Sequence, residues 1–351
     1  MKMYAALGVL AGLSGLAVWF LRGGPKLPPD TDAIIQRVSC RDVTHVVSGE
    51  VGYAESSGVR IWYEIIPSDG PEKGTVLFNI GMGGDSLFWP PSFIRRFTRA
   101  GYRVIRYDQR GTGASDWMPD WSRAQPYSLL DMAEDAVAVL DAAMVDKAHV
   151  LGLSLGGFVA QEIAIAHPAR VASLTLLSTA ADPTDTSLPG PRTGDLVRTG
   201  LAVLPVLRYR LLGGEANLVK ERVAKMMGAK GYEDLDVEEM AELVLYDLRY
   251  RRGVNLRALM QHQAAVTVTR SRYEALRELR VPALIVHGTA DALLPVEHAH
   301  ALAELIPGAQ TLWLEGVGHQ FPYPDMVAVM DAVVSHLDSG TVELDQISGA
   351  D

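Results

Sequence analysis

Gly152-Leu153-Ser154-Leu155-Gly156 sets a serine between two glycines, with a short apolar run before it and a longer run of helical periodicity after it. A G-x-S-x-G motif between a strand and a helix is a device for making a nucleophile. The turn is too sharp to admit neighbouring Cβ atoms, and it lifts the hydroxyl to the positive end of the following helix. A serine hydroxyl stays a weak nucleophile until a base takes its proton, and that base must be held by a third group. His319, in Gly316-Val317-Gly318-His319-Gln320-Phe321-Pro322, is the expected base, because its loop follows the last strand. Asp291, in His287-Gly288-Thr289-Ala290-Asp291, is the expected acid. Asp182 and Asp185, which follow the strand after the nucleophile helix, are the alternatives. His287 ends its strand beside the acid loop and reads as structural, and the other histidines have no setting comparable to that of His319. A tetrahedral intermediate needs two N–H donors aimed at its oxygen. Leu155 N–H is one expected donor. Met82 N–H is the other, from Asn79-Ile80-Gly81-Met82-Gly83-Gly84, where Gly81 frees the backbone to turn inward. Such a loop also suits a phosphate, but no G-K-[ST] follows it and no dinucleotide fingerprint fits.

These residues need a scaffold that gathers loops at one edge. Val51–Tyr53 and Val59–Ile66 flank Ser56-Ser57-Gly58 as an antiparallel hairpin. Strand and helix then alternate: Thr75–Ile80, Ser92–Arg99, Tyr102–Tyr107, Leu129–Ala143, His149–Leu153, Leu155–Ala166 and Val171–Leu177. That alternation predicts a mostly parallel sheet with helices on both faces, whose carboxyl edge carries the serine, acid and histidine loops. From about residue 182 to 272 the pattern is helical only, with Leu196–Leu212 kinked at Pro205, then Leu218–Met227, Val237–Tyr250 and Leu256–Val268. The βα pattern resumes with Ala283–His287, Glu297–Leu305, Thr311–Leu314 and Pro324–Leu337. The expected organisation is a core over 51–181 and 273–338, a helical lid over 182–272 and an acidic tail over 339–351.

The chain has 351 residues, and 48% of them are hydrophobic, enough for a sizeable core. A net charge of −10 argues against a nucleic-acid partner. Cys40 is the only cysteine, so neither an internal disulfide nor a thiolate cluster is available. His298 and His300 lie two apart on a helix and point to different faces, so they make a poor metal pair. Neither a metal nor a cofactor is expected. Met3 to Leu21 is an uncharged run that as a helix would span ~28 Å. It reads as a retained single-pass anchor over 1–22 in preference to a cleaved signal, followed by a Pro/Gly linker over 23–50. Gly8 and Gly12 form a small-residue pair of the kind common in such helices. Arg22, Lys26, Arg37 and Arg41 after the run weakly favour a cytoplasmic catalytic domain.

Asp108-Gln109-Arg110-Gly111-Thr112-Gly113-Ala114-Ser115 resembles the D-x-R-G-x-G-x-S turn of the α/β-hydrolases. With the serine, acid and histidine motifs in the order that fold uses, the resemblance covers about residues 50–338. The stretch from Phe88-Trp89-Pro90-Pro91 to Ile105-Arg106-Tyr107-Asp108 is similar to bacterial esterases near the aclacinomycin methylesterases. The chain departs from many relatives at Ile80-Gly81, where they carry His-Gly and so have a side chain that steadies the loop. The resemblance implies an α/β-hydrolase fold with a helical lid insertion, and a serine hydrolase cleaving small-molecule carboxylic esters through an acyl-enzyme. Met82, Phe88, Trp89 and Phe321 near the site suggest an apolar pocket and lipophilic esters. Thioester, lactone or C–C cleavage, acyl transfer, perhydrolysis, and a low-turnover receptor of this fold are the rival readings.

Overall fold

The structure, a computed structural model, describes residues 18–227, 235–320 and 323–339. Strands β1 (Glu50–Ser56) and β2 (Val59–Ile66) form the hairpin, turning at Ser57 and Gly58, which both have positive φ. Strands β3 (Gly74–Asn79), β4 (Tyr102–Tyr107), β5 (Ala148–Leu153), β6 (Val171–Leu177), β7 (Ala283–Gly288) and β8 (Gln310–Leu314) follow. They lie in one sheet of order β1-β2-β4-β3-β5-β6-β7-β8. β1 and β2 pair antiparallel, as do β2 and β4, and the pairs from β4/β3 to β7/β8 are parallel. A parallel sheet is covered on both faces, which is why these strands read as continuous apolar runs.

On one face helices α3 (Leu129–Ala142), α4 (Leu155–Ala166) and α11 (Val296–Leu305) close a core around Leu77, Ile105, Val150, Leu174 and Ile285. On the other, α2 (Pro91–Arg99) and α12 (Tyr323–Ser339) cover Val76, Phe78, Val104, Leu284 and Val286. Between β6 and β7 stands the expected helical block: α5 (Thr193–Val203), α6 (Leu207–Leu212), α7 (Glu215–Met227), α8 (Val237–Tyr250) and α9 (Leu256–Val268), with a short α10 (Tyr273–Arg277) leading back. The kink expected at Pro205 is a 3-10 turn over Leu204–Val206 that separates α5 from α6.

The N-terminal expectations need correction. Among the described residues no helix is long and apolar enough to cross a membrane. Residues 1–17 of the expected anchor, Gly8 and Gly12 among them, lie outside the described residues. Its end belongs to a helical stretch, 18–22, that stops before Gly23-Gly24-Pro25. There Gly24 has φ 85°, and Arg208 of α6 donates to the Gly23 carbonyl at 2.6 Å. The single-pass anchor, the membrane partner and the cytoplasmic-side placement drawn from them are withdrawn. The segment read as a linker also carries structure. α1 (Thr31–Ser39) sets Ile35 and Val38 against Val219 and Val223 of α7 and Ala241 and Leu245 of α8, so it forms part of the helical block. The acidic tail beyond Ser339 lies outside the described residues.

Candidate active site

Ser154 joins β5 to α4 with φ 54° and ψ −117°, a conformation that side-chain-bearing residues rarely adopt. Its surroundings explain the glycines. A Cβ on Gly152 would lie 2.2 Å from the Gly156 carbonyl oxygen, and one on Gly156 would lie 2.1 Å from that of Asn79. Both contacts are with backbone and have nowhere to relax. The turn is pinned to the end of β6, where Ser154 N–H donates to the Leu177 carbonyl at 2.8 Å and Thr179 Oγ1 donates to the Ser154 carbonyl at 2.9 Å. These bonds hold an unfavourable backbone in place, as sites with stored strain require.

The loops after β7 and β8 bring the other two residues to the serine. Thr289 N–H donates to the Leu314 carbonyl and Ala290 N–H to that of Val317, both at 2.9 Å, while Gly316 N–H donates to Thr289 Oγ1 at 2.9 Å. Gly288 allows the approach, because a Cβ there would lie 2.3 Å from the Val317 carbonyl oxygen. The loops thus laced together carry Asp291 and His319. His319 Nδ1 lies 2.7 Å from Asp291 Oδ2, and its Nε2 lies 3.0 Å from Ser154 Oγ.

Asp291 is fully buried. Burial alone would raise its pKa, but hydrogen bonds from His287 and His319, the charge of His319 and the Leu294 N–H outweigh it and hold the carboxyl far below its usual range. Its Oδ1 accepts from Leu293 N–H at 2.8 Å and Leu294 N–H at 2.9 Å. His287 shares its Nε2 between the Leu294 carbonyl at 2.8 Å and Asp291 Oδ2 at 3.3 Å. Both contacts fall on the loop that carries Asp291. The alternative acids are engaged elsewhere. Asp182 accepts from Thr184, and Asp185 accepts from Ser187 and Tyr273, whose hydroxyls and N–H pull Asp185 down to about 2.

Leu155 N–H opens α4, and the loop after β3 lies alongside it. A Cβ built on Gly81 would be 3.6 Å from that of Ser154. Neither Leu155 N–H nor Met82 N–H has a protein acceptor among the described residues. The loop base is fixed by Asn79, whose side chain donates to the Leu151 carbonyl at 3.1 Å and accepts from Tyr107 OH at 2.7 Å. The Asp108–Ser115 turn is a support. Asp108 accepts from Ser86 N–H and Ala114 N–H at 2.8 Å each, and Arg110 makes a two-pronged pair with buried Asp135, both bonds 2.6 Å.

A cavity of about 770 Å³ lies between the core and the helical block, and Gly83 and Gly84 of the loop after β3 form part of its wall. Phe88 lines it, with Leu87, Met240, Leu243 and Val244. Trp89 does not: it is 1% exposed and packs among Phe78, Phe88 and Phe93, so its place in an apolar pocket is corrected to the core. Phe321 lies outside the described residues. The cavity wall also carries charge. Burial and the neighbouring Asp85 carboxylate push Asp247 up to about 6. A second cavity, about 530 Å³, sits at the opposite end of β5, β6 and β7, remote from Ser154.

A profile of the alpha/beta hydrolase fold matches residues 74–324. Rhodomycin D methylesterase DauP of Streptomyces sp. (strain C5) is 32% identical over 298 residues, spanning 81% of this chain and 97% of the relative. Rhodomycin D methylesterase DnrP of Streptomyces peucetius is 31% identical over 300 residues, with the same coverage, 81% and 97%. A hydrolase from Pseudomonas aeruginosa PA01 superposes with a TM-score of 0.60 at 28% identity, covering 83% of this chain and 100% of that one.

Proposed function

The chain belongs to the alpha/beta hydrolase fold family, and we propose that it hydrolyses carboxylic esters of lipophilic small molecules through Ser154, His319 and Asp291. The observation that carries this reading is the unbroken line of hydrogen bonds from Ser154 Oγ through the His319 ring to Asp291. In the first half-reaction Ser154 Oγ attacks the ester carbonyl as its proton passes to His319 Nε2. Asp291 accepts from His319 Nδ1–H and stabilises the imidazolium without taking the proton. The oxyanion is met by Leu155 N–H and Met82 N–H. Collapse of the intermediate expels the alcohol, which receives the proton held by His319 and leaves an acyl-enzyme. Water, deprotonated by His319, attacks that ester, the acid is released, and Ser154 regains its proton. Every group this cycle uses belongs to the protein, the substrate or water.

The ester reading draws on the methylesterase relatives. The lipophilic substrate class draws on the apolar part of the cavity wall beside Gly83 and Gly84. A panel of p-nitrophenyl esters of increasing acyl length, run against thioesters and lactones, tests both. The expected result is multiple turnover on the oxygen esters, with kcat/KM rising as the acyl chain lengthens. Preference for the thioesters or lactones would overturn the ester assignment, and a flat or falling profile would overturn the lipophilic one.

A further inference from the structure

The sequence lacks the loop histidine that many relatives carry at Ile80, yet the donor loop is held from another direction. Met82 sits between two anchors. On one side Gln109 Nε2 donates to the Ile80 carbonyl at 2.9 Å. On the other, Gly83 N–H donates at 3.0 Å to Nδ1 of His262, a residue of α9. His262 is 0% exposed, and its Nε2 lies 3.1 Å from the Arg110 carbonyl. The Gly83 N–H requires a lone pair on Nδ1, so the proton is on Nε2 and is donated to Arg110. Burial, the largest influence, pushes the ring down to about 4 and keeps it neutral. Gly83 has φ 69°, and a Cβ there would lie 2.5 Å from the Leu259 side chain, so the same helix face presses on the loop at one point. Asn255 docks the start of α9 on the supporting turn through the Gly111 carbonyl at 2.8 Å, and Gln261 docks it on the segment just beyond through the Met118 carbonyl at 3.1 Å.

We propose that His262 is a positioning residue, supplied by the helical block, that fixes Gly83 and thereby keeps Met82 N–H aimed at the same point as Leu155 N–H. The proposal rests on the ester-hydrolysis reading of the site. It makes the helical block a part of the oxyanion apparatus as well as a wall of the cavity.

Three variants separate the two hydrogen bonds. His262→Asn keeps an acceptor where Nδ1 stands, His262→Gln keeps a donor where Nε2 stands, and His262→Ala keeps neither. On a soluble p-nitrophenyl ester, Gln and Ala should lower kcat about tenfold or more, short of the roughly 10²–10³-fold lost with a whole oxyanion donor. KM should stay near wild type, and Asn should restore most of kcat. Equal kcat in all three, or equal losses in Asn and Gln, would overturn the proposal, since a packing role does not distinguish the two ends of the ring. Should the variants fail to fold, histidine ¹⁵N NMR of the wild-type enzyme decides: a protonated Nε2 supports the proposal and a protonated Nδ1 overturns it. Ser154→Ala, run alongside, separates the two claims. Activity persisting in Ser154→Ala removes the site reading and this proposal with it. An inactive Ser154→Ala beside undiminished His262 variants removes this proposal alone.

Discussion

Ser154, Asp291 and His319 arrive from three loops at the carboxyl edge of one sheet, and the acid is the residue on which the sequence left a choice. Asp291 accepts from two backbone N–H groups and faces the rings of His319 and His287, whereas Asp182 is spent on its own turn and Asp185 on its own turn and on Tyr273. Asp291→Asn keeps the size of the side chain but removes the charge that fixes the His319 tautomer. It should cut kcat by up to roughly 10⁴-fold, as in triads of this type. Asp182→Asn and Asp185→Asn should change kcat less than about twofold, since the hydrogen bonds they weaken, to Thr184, Ser187 and Tyr273, do not involve His319. Steady-state kinetics on one soluble ester checks all three. At this scale the sequence was informative wherever chemistry needs a residue in a fixed local setting, as with the serine between its glycines. It was silent on His262 and on the work of His287, because each acts on a partner distant in the chain or hidden in the turn of a neighbouring loop. Trp89 misled for a related reason. Its sequence neighbour Phe88 lines the cavity, but Trp89 itself is buried against Phe78 and Phe93.

The elements divide into those that periodicity exposes and those that only packing explains. The strands from β3 to β8 were legible as apolar runs bounded by glycine and polar residues, and the capping box of Ser128 and Asp131 marks the start of α3. Helix α1 was not legible, because the Pro/Gly composition before it outweighs the modest apolar spacing of Ile34, Ile35 and Val38. Its stability comes from burying Ile35 and Val38 on α7 and α8, and a nine-residue helix has little without such a contact. Ile35→Ala should therefore destabilise the helical block by about 2–5 kcal/mol, the range for deleting a buried aliphatic side chain. Urea unfolding followed with hydrogen exchange in α1, α7 and α8 measures this, and unchanged exchange there would show that α1 is an ornament on the block. The lacing of the β7 and β8 loops was equally hidden, since its bonds run between backbones and its sequence mark is a single glycine, Gly288.

For the whole molecule, the groups that titrate out of their usual range set how stability depends on pH. His336 on α12 is 1% exposed, and burial, assisted by the charge of His149, pushes its pKa from 6.5 down to about 4. Between those values the unfolded chain binds a proton that the folded chain refuses, so this contribution to stability is whole above pH 6.5 and is lost as pH falls towards 4. Asp247, raised to about 6, works in the opposite sense over the lower part of the same window. Replacing His336 by Gln removes the first effect and leaves the second. Urea midpoints at pH 7 and 4.5 should fall further in the wild type than in His336→Gln, by about 2–3 kcal/mol when converted to free energy. Equal falls would mean that His336 is protonated in the folded state. The described part of the molecule carries no membrane-crossing helix, and the long uncharged N-terminal run misled because length and hydropathy were its whole signal. Treating the protein with a fluorophosphonate and locating the adduct by peptide mass spectrometry tests whether Ser154 is the nucleophile of an ester hydrolase. One adduct is expected, on Ser154, with its formation tracking the loss of esterase activity and both labelling and activity abolished in Ser154→Ala. An adduct on another serine, or hydrolysis that continues after Ser154 is fully labelled, would contradict it.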